Sequence, residues 1–305
     1  MAKDFTQLEW DAQLDDDCRH LVRLAIREDL DRGLDLTTIA LVSDEATGHA
    51  VISARQRGVV AGLAACLVTL DEMEVQLNWN ALVEDGSTVE PGQSVAELSG
   101  PARHMLTSER LLLNFLGRLS GIATLTRQFV ETVAECKTEI YDTRKTTPGW
   151  RRLEKYAVRC GGGRNHRTGL FDAVLIKDNH LAQLSDVRSV SEAIVTARRF
   201  IQESIADEQR ASATIVEVEV DSLNQLRDAL QENPDIVLLD NMSNAQLREA
   251  VGIRDQTNAE VELEASGSVT LQTIKSIAET GVERISIGAL THSAISFDVG
   301  MDWKV

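Results

Sequence analysis

The stretch TIVEVEVDSLNQLRDALQENPDIVLLDN, residues 214–241, carries the pattern that decides the fold. A β-branched run in which valine alternates with glutamate comes first. A segment of helical period follows near 222–232, and a second apolar run, DIVLLD, closes the unit. Strand, helix and strand in this order predict parallel strands joined by a crossover helix. The same texture extends outward on both sides. TEIYDT and AVLIK lie upstream, EVELEAS and ERISIG lie downstream, and further helix-patterned segments fall near 186–206, 244–256 and 270–280. No GxGxxG follows any of these runs, so a dinucleotide-binding sheet has no support. Each run ends instead in residues with chemistry: Thr143-Arg144-Lys145, Lys177, Glu219, Asp240, Ser266-Gly267 and Gly288. In a β/α barrel such positions converge on one mouth, where active sites are built, so a barrel is expected over an open sheet.

The first part of the chain reads differently. Leu14, Cys18, Leu21, Val22, Ala25 and Ile26 recur at helical spacing within residues 12–30. Short alternating runs broken by turn signals fill residues 46–100 and predict a small antiparallel sheet. The motif VEDGSTVEPGQSVAEL within it has the look of a biotinyl or lipoyl carrier. Such a carrier needs a lysine at a hairpin tip, and none occurs between Lys3 and Lys137, so the segment is taken as scaffold. Residues 102–135 are apolar on more than one face and predict one long buried helix or a pair of helices.

Bulk properties exclude several classes. A net charge of −17 over 305 residues disfavours nucleic acid, and an aromatic content of 4% supplies few stacking platforms. Cys18, Cys66, Cys136 and Cys160 form no CxxC pair and read as reduced thiols. The opening MAKDFTQLEWDAQLDDD lacks the apolar core of a secretory signal, and no stretch is long enough to span a bilayer. The expectation is a cytoplasmic protein with neither membrane nor nucleic-acid partners.

Against that acidic background, the 34 residues from Arg144 to Lys177 hold nine basic side chains and two acidic ones. A local reversal of sign suits a small, highly charged anion, and arginines add two-pronged geometry for carboxylate or phosphate. Arg151, Arg152 and Lys155 read equally well as a solvated helix face, whereas Arg144, Lys145 and Lys177 sit at strand ends. The GGGRNH run at 161–166 lacks the GK[ST] of a phosphate loop. It reads as a tight turn bringing His166 and Arg167 to the pocket. Glu219 and Asp240 could hold Mg²⁺, bond sugar hydroxyls or neutralise lysines. The alternation also puts Glu217, Glu219 and Asp221 on one face, and periodicity does not choose among them. Gly267 and Gly288 close the last strand–loop junctions, where barrels commonly cradle a phosphate. The ligands this set fits are a phosphorylated sugar bearing pyrophosphate and an anionic second substrate.

DTRKTTPGWRRLEKYAVRCGGGRNHRTGLFDAVLIKDNH strongly resembles the signature of quinolinate phosphoribosyltransferases. ERLLLNFLGRLSGIAT, VEVEVDSL, DIVLLDNMS, LEASGSVT and GVERISIGALTHS fit the same family in order and spacing. Trp150 departs from a usual leucine and Ser268 from a common glycine; neither replaces a charged ligand. The resemblance implies an N-terminal α/β sandwich over residues 1–114, with the tail 292–305 packing back on it. It also implies an incomplete TIM-like (β/α) barrel over 115–291, and homodimers, or higher oligomers, that share active sites. Arg144, His166, Arg167 and Lys177 would grip quinolinate, with Arg110 reaching in from the neighbouring subunit. Lys145 and Lys177 would face the pyrophosphate, and Thr143 would join the substrate-binding set. Glu219 and Asp240 would bind ribose and Mg²⁺, and Ser266, Gly267, Gly288 and His292 would hold the 5′-phosphate.

Three rival readings have distinct signatures. A nicotinate phosphoribosyltransferase or a molybdenum-transport-associated homologue would need fewer cations. An aldolase forming a Schiff base on Lys177 would lack the ring of arginines. A non-catalytic anion-binding module would need neither Glu219 nor Asp240.

Overall fold

The computed structural model describes residues 3–183 and 189–304. Its first elements are α1 (Ala12–Leu30), α2 (Leu36–Leu41), β1 (Thr47–Ala54), β2 (Gly58–Val59), α3 (Leu63–Glu72), β3 (Asn78–Ala81), β4 (Thr88–Val89), β5 (Ser94–Pro101) and α4 (Ala102–Thr132). Then come β6 (Glu139–Tyr141), α5 (Arg151–Cys160), β7 (Val174–Ile176), α6 (Asp178–Ala182), α7 (Val190–Ser204), α8 (Glu208–Ala213), β8 (Val216–Val220) and α9 (Leu223–Ala229). The chain closes with β9 (Ile236–Asp240), α10 (Asn244–Thr257), β10 (Glu262–Ser266), α11 (Ile274–Ala278), β11 (Arg284–Ser286), α12 (Ala289–His292) and β12 (Val299–Trp303). Every strand and helix read from the sequence is present, except that residues 186–188 of the expected 186–206 helix lie outside the described residues. Helix α3 has no counterpart in that reading.

Two compact units result. One takes residues 8–127, 145–163 and 290–305, and the other takes 1–7, 128–144 and 164–289. The chain thus crosses between units several times, whereas the family resemblance implied a single boundary near residue 114.

In the first unit a four-stranded antiparallel sheet runs in the order β12-β1-β5-β3. Its outer strand comes from the chain's far end, pairing Ala54 with Val299 and Ala50 with Trp303. Ile52, Leu98, Met105, Leu112, Leu116 and Phe297 form the core between this sheet and α4. The 31 residues of α4 contain no proline, and the apolar residues spread around it, predicted to be covered on more than one face, are buried. Helix α5 corrects one expectation. Lys155, read as part of a solvated face, is fully buried, as is Glu154, and Arg152 is tied to Asp17 at 3.0 Å. Glu154 accepts from Arg118 at 2.5 Å and from the Thr147 hydroxyl at 2.8 Å. The Trp150 ring that stands in place of leucine stacks on Phe115, with centroids 5.0 Å apart.

The second unit is a six-stranded parallel sheet in the order β6-β11-β10-β9-β8-β7. The first strand of the series lies beside the last, which is the mark of a sheet curled into a barrel. It stays open between β6 and β7, where a short parallel bridge joins Tyr141 to Arg164. Register assigns the faces. Glu217 lies beside Ile236 and Glu262; Glu219 lies beside Leu238, Glu264 and Arg284; Asp240 lies beside Ser266, Ser286 and Tyr141. With a period of two these residues share the inner face, and Val216, Val218 and Val220 turn outward under α7 and α9. Residues 3–5 return to this unit: Asp4 accepts from the Tyr141 hydroxyl at 3.0 Å, and Phe5 joins a cluster with Tyr141, Ala173, Ile215 and Ile236.

Phe297 tests how far the returning tail supports the first unit. Phe297→Ala leaves a cavity in a closed core and is expected to cost about 3–5 kcal/mol. Urea unfolding followed by tryptophan fluorescence should show a lowered midpoint; an unchanged midpoint would mean that the tail is not integral to that core.

Candidate active site

The charged residues proposed from strand ends come together at the carboxyl edge of the second unit's sheet. Thr143 and Arg144 follow β6, Lys177 follows β7, Glu219 lies near the end of β8, Asp240 ends β9, and Ser266 ends β10. Gly267 and Gly288 begin the loops beyond β10 and β11. Lys177 forms an ion pair with Glu219, the residue opposite it one step beyond the Ile176–Val218 pair. The Lys177 N–H donates to Nδ1 of His180 at 2.9 Å, which holds the turn into α6.

Local chemistry explains the loop after β10. Asn241, at φ 53°, donates its backbone N–H to the Ser266 carbonyl at 2.9 Å and its side-chain amide to Asp240 at 2.9 Å. A Cβ on Gly267 would run into the Asn241 side chain, and Gly267 itself has φ +108°. Only glycine meets both demands. Ser268 follows at φ 48°, the left-handed region, which accounts for the glycine common there in the family.

Arg167 and Arg144 make up the cationic side. Arg167 is buried, donates from Nη1 to the Ala173 carbonyl at 3.3 Å, and has its pKa lowered, chiefly by burial and then by the charge of Arg144. A buried guanidinium whose charge is disfavoured by a neighbouring arginine, in a place poorly reached by water, favours an anion beside it.

His166 is placed differently from a ligand-facing histidine. It is buried, and its ring stacks on Phe5 with centroids 4.2 Å apart. Nδ1 accepts the Arg167 N–H at 2.8 Å, and Nε2 bonds Oε1 of Glu217 at 3.4 Å. Its backbone N–H donates to Asp142 at 2.9 Å, and Asp142 also accepts from the Asn165 amide at 2.8 Å. Lys145, Arg110 and His292 belong to the first unit. There the Lys145 carbonyl accepts from the Thr291 hydroxyl at 2.7 Å, and His292 bonds the Ser293 hydroxyl at 2.7 Å through Nδ1. Arg110 is exposed beside a cavity of about 400 Å³ that Asn114, Phe297 and Asp298 also line.

Sequence reasoning missed Asp142, Glu264 and the residues 4–5. Glu264 had a usable signal, since its spacing within ELEAS puts it on the same face as Ser266. The other two act through partners distant in the chain, which no local pattern marks.

Residues 35–120 match the family description "Quinolinate phosphoribosyl transferase, N-terminal domain", and residues 122–302 match the corresponding C-terminal domain. The chain belongs to the quinolinate phosphoribosyltransferase family. It is 42% identical over 289 residues to the Mycobacterium leprae nicotinate-nucleotide pyrophosphorylase (carboxylating), covering 94% of this chain and 97% of that protein. Among solved structures, the nicotinate-nucleotide pyrophosphorylase from Francisella tularensis superposes with a TM-score of 0.87 at 35% identity, covering 99% and 100% of the two chains. Human nicotinic acid phosphoribosyltransferase shares the fold alone, with a TM-score of 0.56 at 12% identity over 94% of this chain and 74% of that one. Family membership agrees with the two-unit architecture and its antiparallel and parallel sheets. Among the described residues no helix is long and apolar enough to cross a membrane.

Glu264 yields a pH prediction. Burial, before any other cause, pushes its carboxyl up from 4.5 to about 7, so the folded state binds a proton that the unfolded state has lost between those values. The associated stability is fully present below about 4.5 and is lost as pH rises through about 7. Glu264→Gln is uncharged throughout, so its urea midpoint should fall less than that of the wild type between pH 5.5 and 8.5. Parallel declines would place the titration elsewhere.

Proposed function

We propose that this chain transfers the phosphoribosyl group of phosphoribosyl pyrophosphate to quinolinate with decarboxylation. The products are nicotinate mononucleotide, pyrophosphate and CO₂, within de novo NAD biosynthesis. One observation carries the reading: the half-buried Arg144 and buried Arg167 stand together at the sheet edge that also presents Lys177, Glu219 and Asp240. That is a cationic seat for an anionic ring beside a carboxylate pair for a sugar.

Glu219 and Asp240 fit Mg²⁺. They project from one face of adjacent strands near the same edge, and carboxylate oxygens are the donors this ion prefers. Mg²⁺ held there would supply charge neutralisation for the pyrophosphate.

The chain's own residues do the rest. Arg144 and Arg167 orient quinolinate so that its ring nitrogen faces the anomeric carbon. The N–C bond forms as the C–O bond to pyrophosphate breaks, and positive charge grows on the sugar. Glu219 and Asp240 stabilise that charge, while Lys177 stabilises the departing oxygens. No protein nucleophile is needed, because positioning supplies much of the acceleration. The alkylated ring nitrogen is then an electron sink: the adjacent carboxylate leaves as CO₂, and the ring carbon takes a proton. Free nicotinate accumulating before ribosyl transfer would overturn this order. The parts proposed for Lys145 and His292, and for Arg110 of the partner subunit in a homodimer with shared sites, rest on the family resemblance.

Turnover tests the whole reading. With phosphoribosyl pyrophosphate and Mg²⁺, quinolinate should yield mononucleotide and CO₂ in equal amounts, nicotinate should yield little, and EDTA should stop the reaction. Mononucleotide from nicotinate at a comparable rate would favour the monocarboxylate rival instead. Lys145→Ala and Lys177→Ala should each lower kcat by about 100-fold or more with little change in urea midpoint. A matching loss of folded protein would make the lysines structural.

A further inference from the structure

Glu217 and Glu264 take no part in the chemistry above, yet both are fully buried on the inner face of the barrel. The His166 ring lies against them. Its Nε2 is 3.1 Å from Oε2 of Glu217 and 3.6 Å from Oε1 of Glu264. Neither Glu264 oxygen has a well-aligned hydrogen-bond partner among the described residues, although Ser286 lies close. A charge or proton at Nε2 is therefore what these carboxylates face.

The other ring nitrogen identifies which it is. Nδ1 accepts a backbone N–H, from Arg167 at 2.8 Å, so its lone pair is engaged and it carries no proton. The ring proton then sits on Nε2, aimed at the two carboxylates. A histidine and two carboxylates whose ligand atoms lie within 4.8 Å of one another are also the donor set of a metal site. The tautomer argues against one: a ligating Nε2 needs its lone pair, and Nδ1 would then be the donor.

We propose that Glu217 and Glu264 are positioning residues that hold the His166 imidazole in its Nε2–H form and, through Nδ1, fix the backbone from which Arg167 reaches the anionic substrate. Phe5 stacked on the ring and Asp142 holding the His166 N–H restrict the same ring from two other directions. Burial raises the Glu264 carboxyl, so that it can carry a proton beside Glu217 rather than repel it. The part played by Arg167 rests on quinolinate being the substrate; the ring's tautomer does not.

Two measurements test the clamp. In protein labelled with ¹⁵N-histidine, with His166 assigned from the signals lost in His166→Gln, the ring should show a bare Nδ1 and a protonated Nε2 at pH 7. A proton on Nδ1, alone or in an imidazolium, would overturn the proposal even if no carboxylate variant folds. In kinetics, Glu217→Leu and Glu264→Met should raise the KM for quinolinate about tenfold, with kcat and the KM for phosphoribosyl pyrophosphate changed by less than about threefold. Glu217→Gln and Glu264→Gln keep an acceptor oxygen and should restore the quinolinate KM. Folded Leu and Met variants with wild-type KM would refute the clamp. If wild-type protein does not turn over quinolinate at all, the functional reading fails, and the ¹⁵N spectrum still decides the tautomer.

Discussion

The Asp142 carboxylate, at the end of β6, is the fastening on which the second unit's mouth depends. It is fully buried and accepts from both the Asn165 amide and the His166 N–H. Just beside it, Asp142 donates its N–H to the Arg164 carbonyl at 3.0 Å, and Arg164 donates to Ile140 at 2.7 Å. These bonds give β6 a short parallel neighbour on the side where the barrel has no strand. Hydrogen bonds to an ionised acceptor are stronger than neutral ones, and a buried carboxylate left without them would be costly. Backbone bonds and this one carboxylate thus bridge the open seam, and His166 and Arg167 follow directly from it.

A second constraint follows from the barrel's lining. Barrel interiors are usually filled by branched aliphatic residues, whereas this inner face carries Glu139, Glu217, Glu219, Glu262, Glu264 and Arg284. Such groups persist only when paired. Arg284 is the hub. It is nearly inaccessible, pairs with Glu262, reaches Asp4 at 3.1 Å, and donates to the Lys3 carbonyl at 3.0 Å. Its guanidinium also lies 4.7 Å from the Tyr141 ring centroid and 5.7 Å from that of Phe5. Residues 3–5, of which Phe5 is buried, therefore supply an anion, a carbonyl and an aromatic face to a charge that the strands alone leave underserved.

Much of the candidate site was legible in the sequence because charged and polar groups at strand ends interrupt an otherwise apolar period. Thr143-Arg144, Lys177, Glu219, Asp240 and Ser266-Gly267 all stand out this way, and all fall at one edge of one sheet. The fate of α5 was not legible. Arg151, Arg152 and Lys155 look like a solvated face, but Lys155 is buried and Arg152 pairs with Asp17 of α1. Likewise, the five residues of β12 carry no label that they complete the sheet begun by β1. The pairing of Arg152 with Asp17 and of β12 with β1 depends on partners more than a hundred residues away.

By itself the sequence determined the alternation of strands and helices, the sign reversal within an acidic chain, and the family to which the chain belongs. Those properties are local: a two-residue or helical period and a run of charges are complete within their own segments. Only the tertiary structure decided the duties of three carboxylates on one strand pattern. Glu217 goes to His166, Glu219 to Lys177, and Asp221 lies exposed at the turn, its N–H given to Gln225. Period two puts them on one face, but depth along the barrel and the register of neighbouring strands set what each one meets. The same holds for His166, whose ring is committed by Phe5, Arg167 and two glutamates that come together only when the sheet curls.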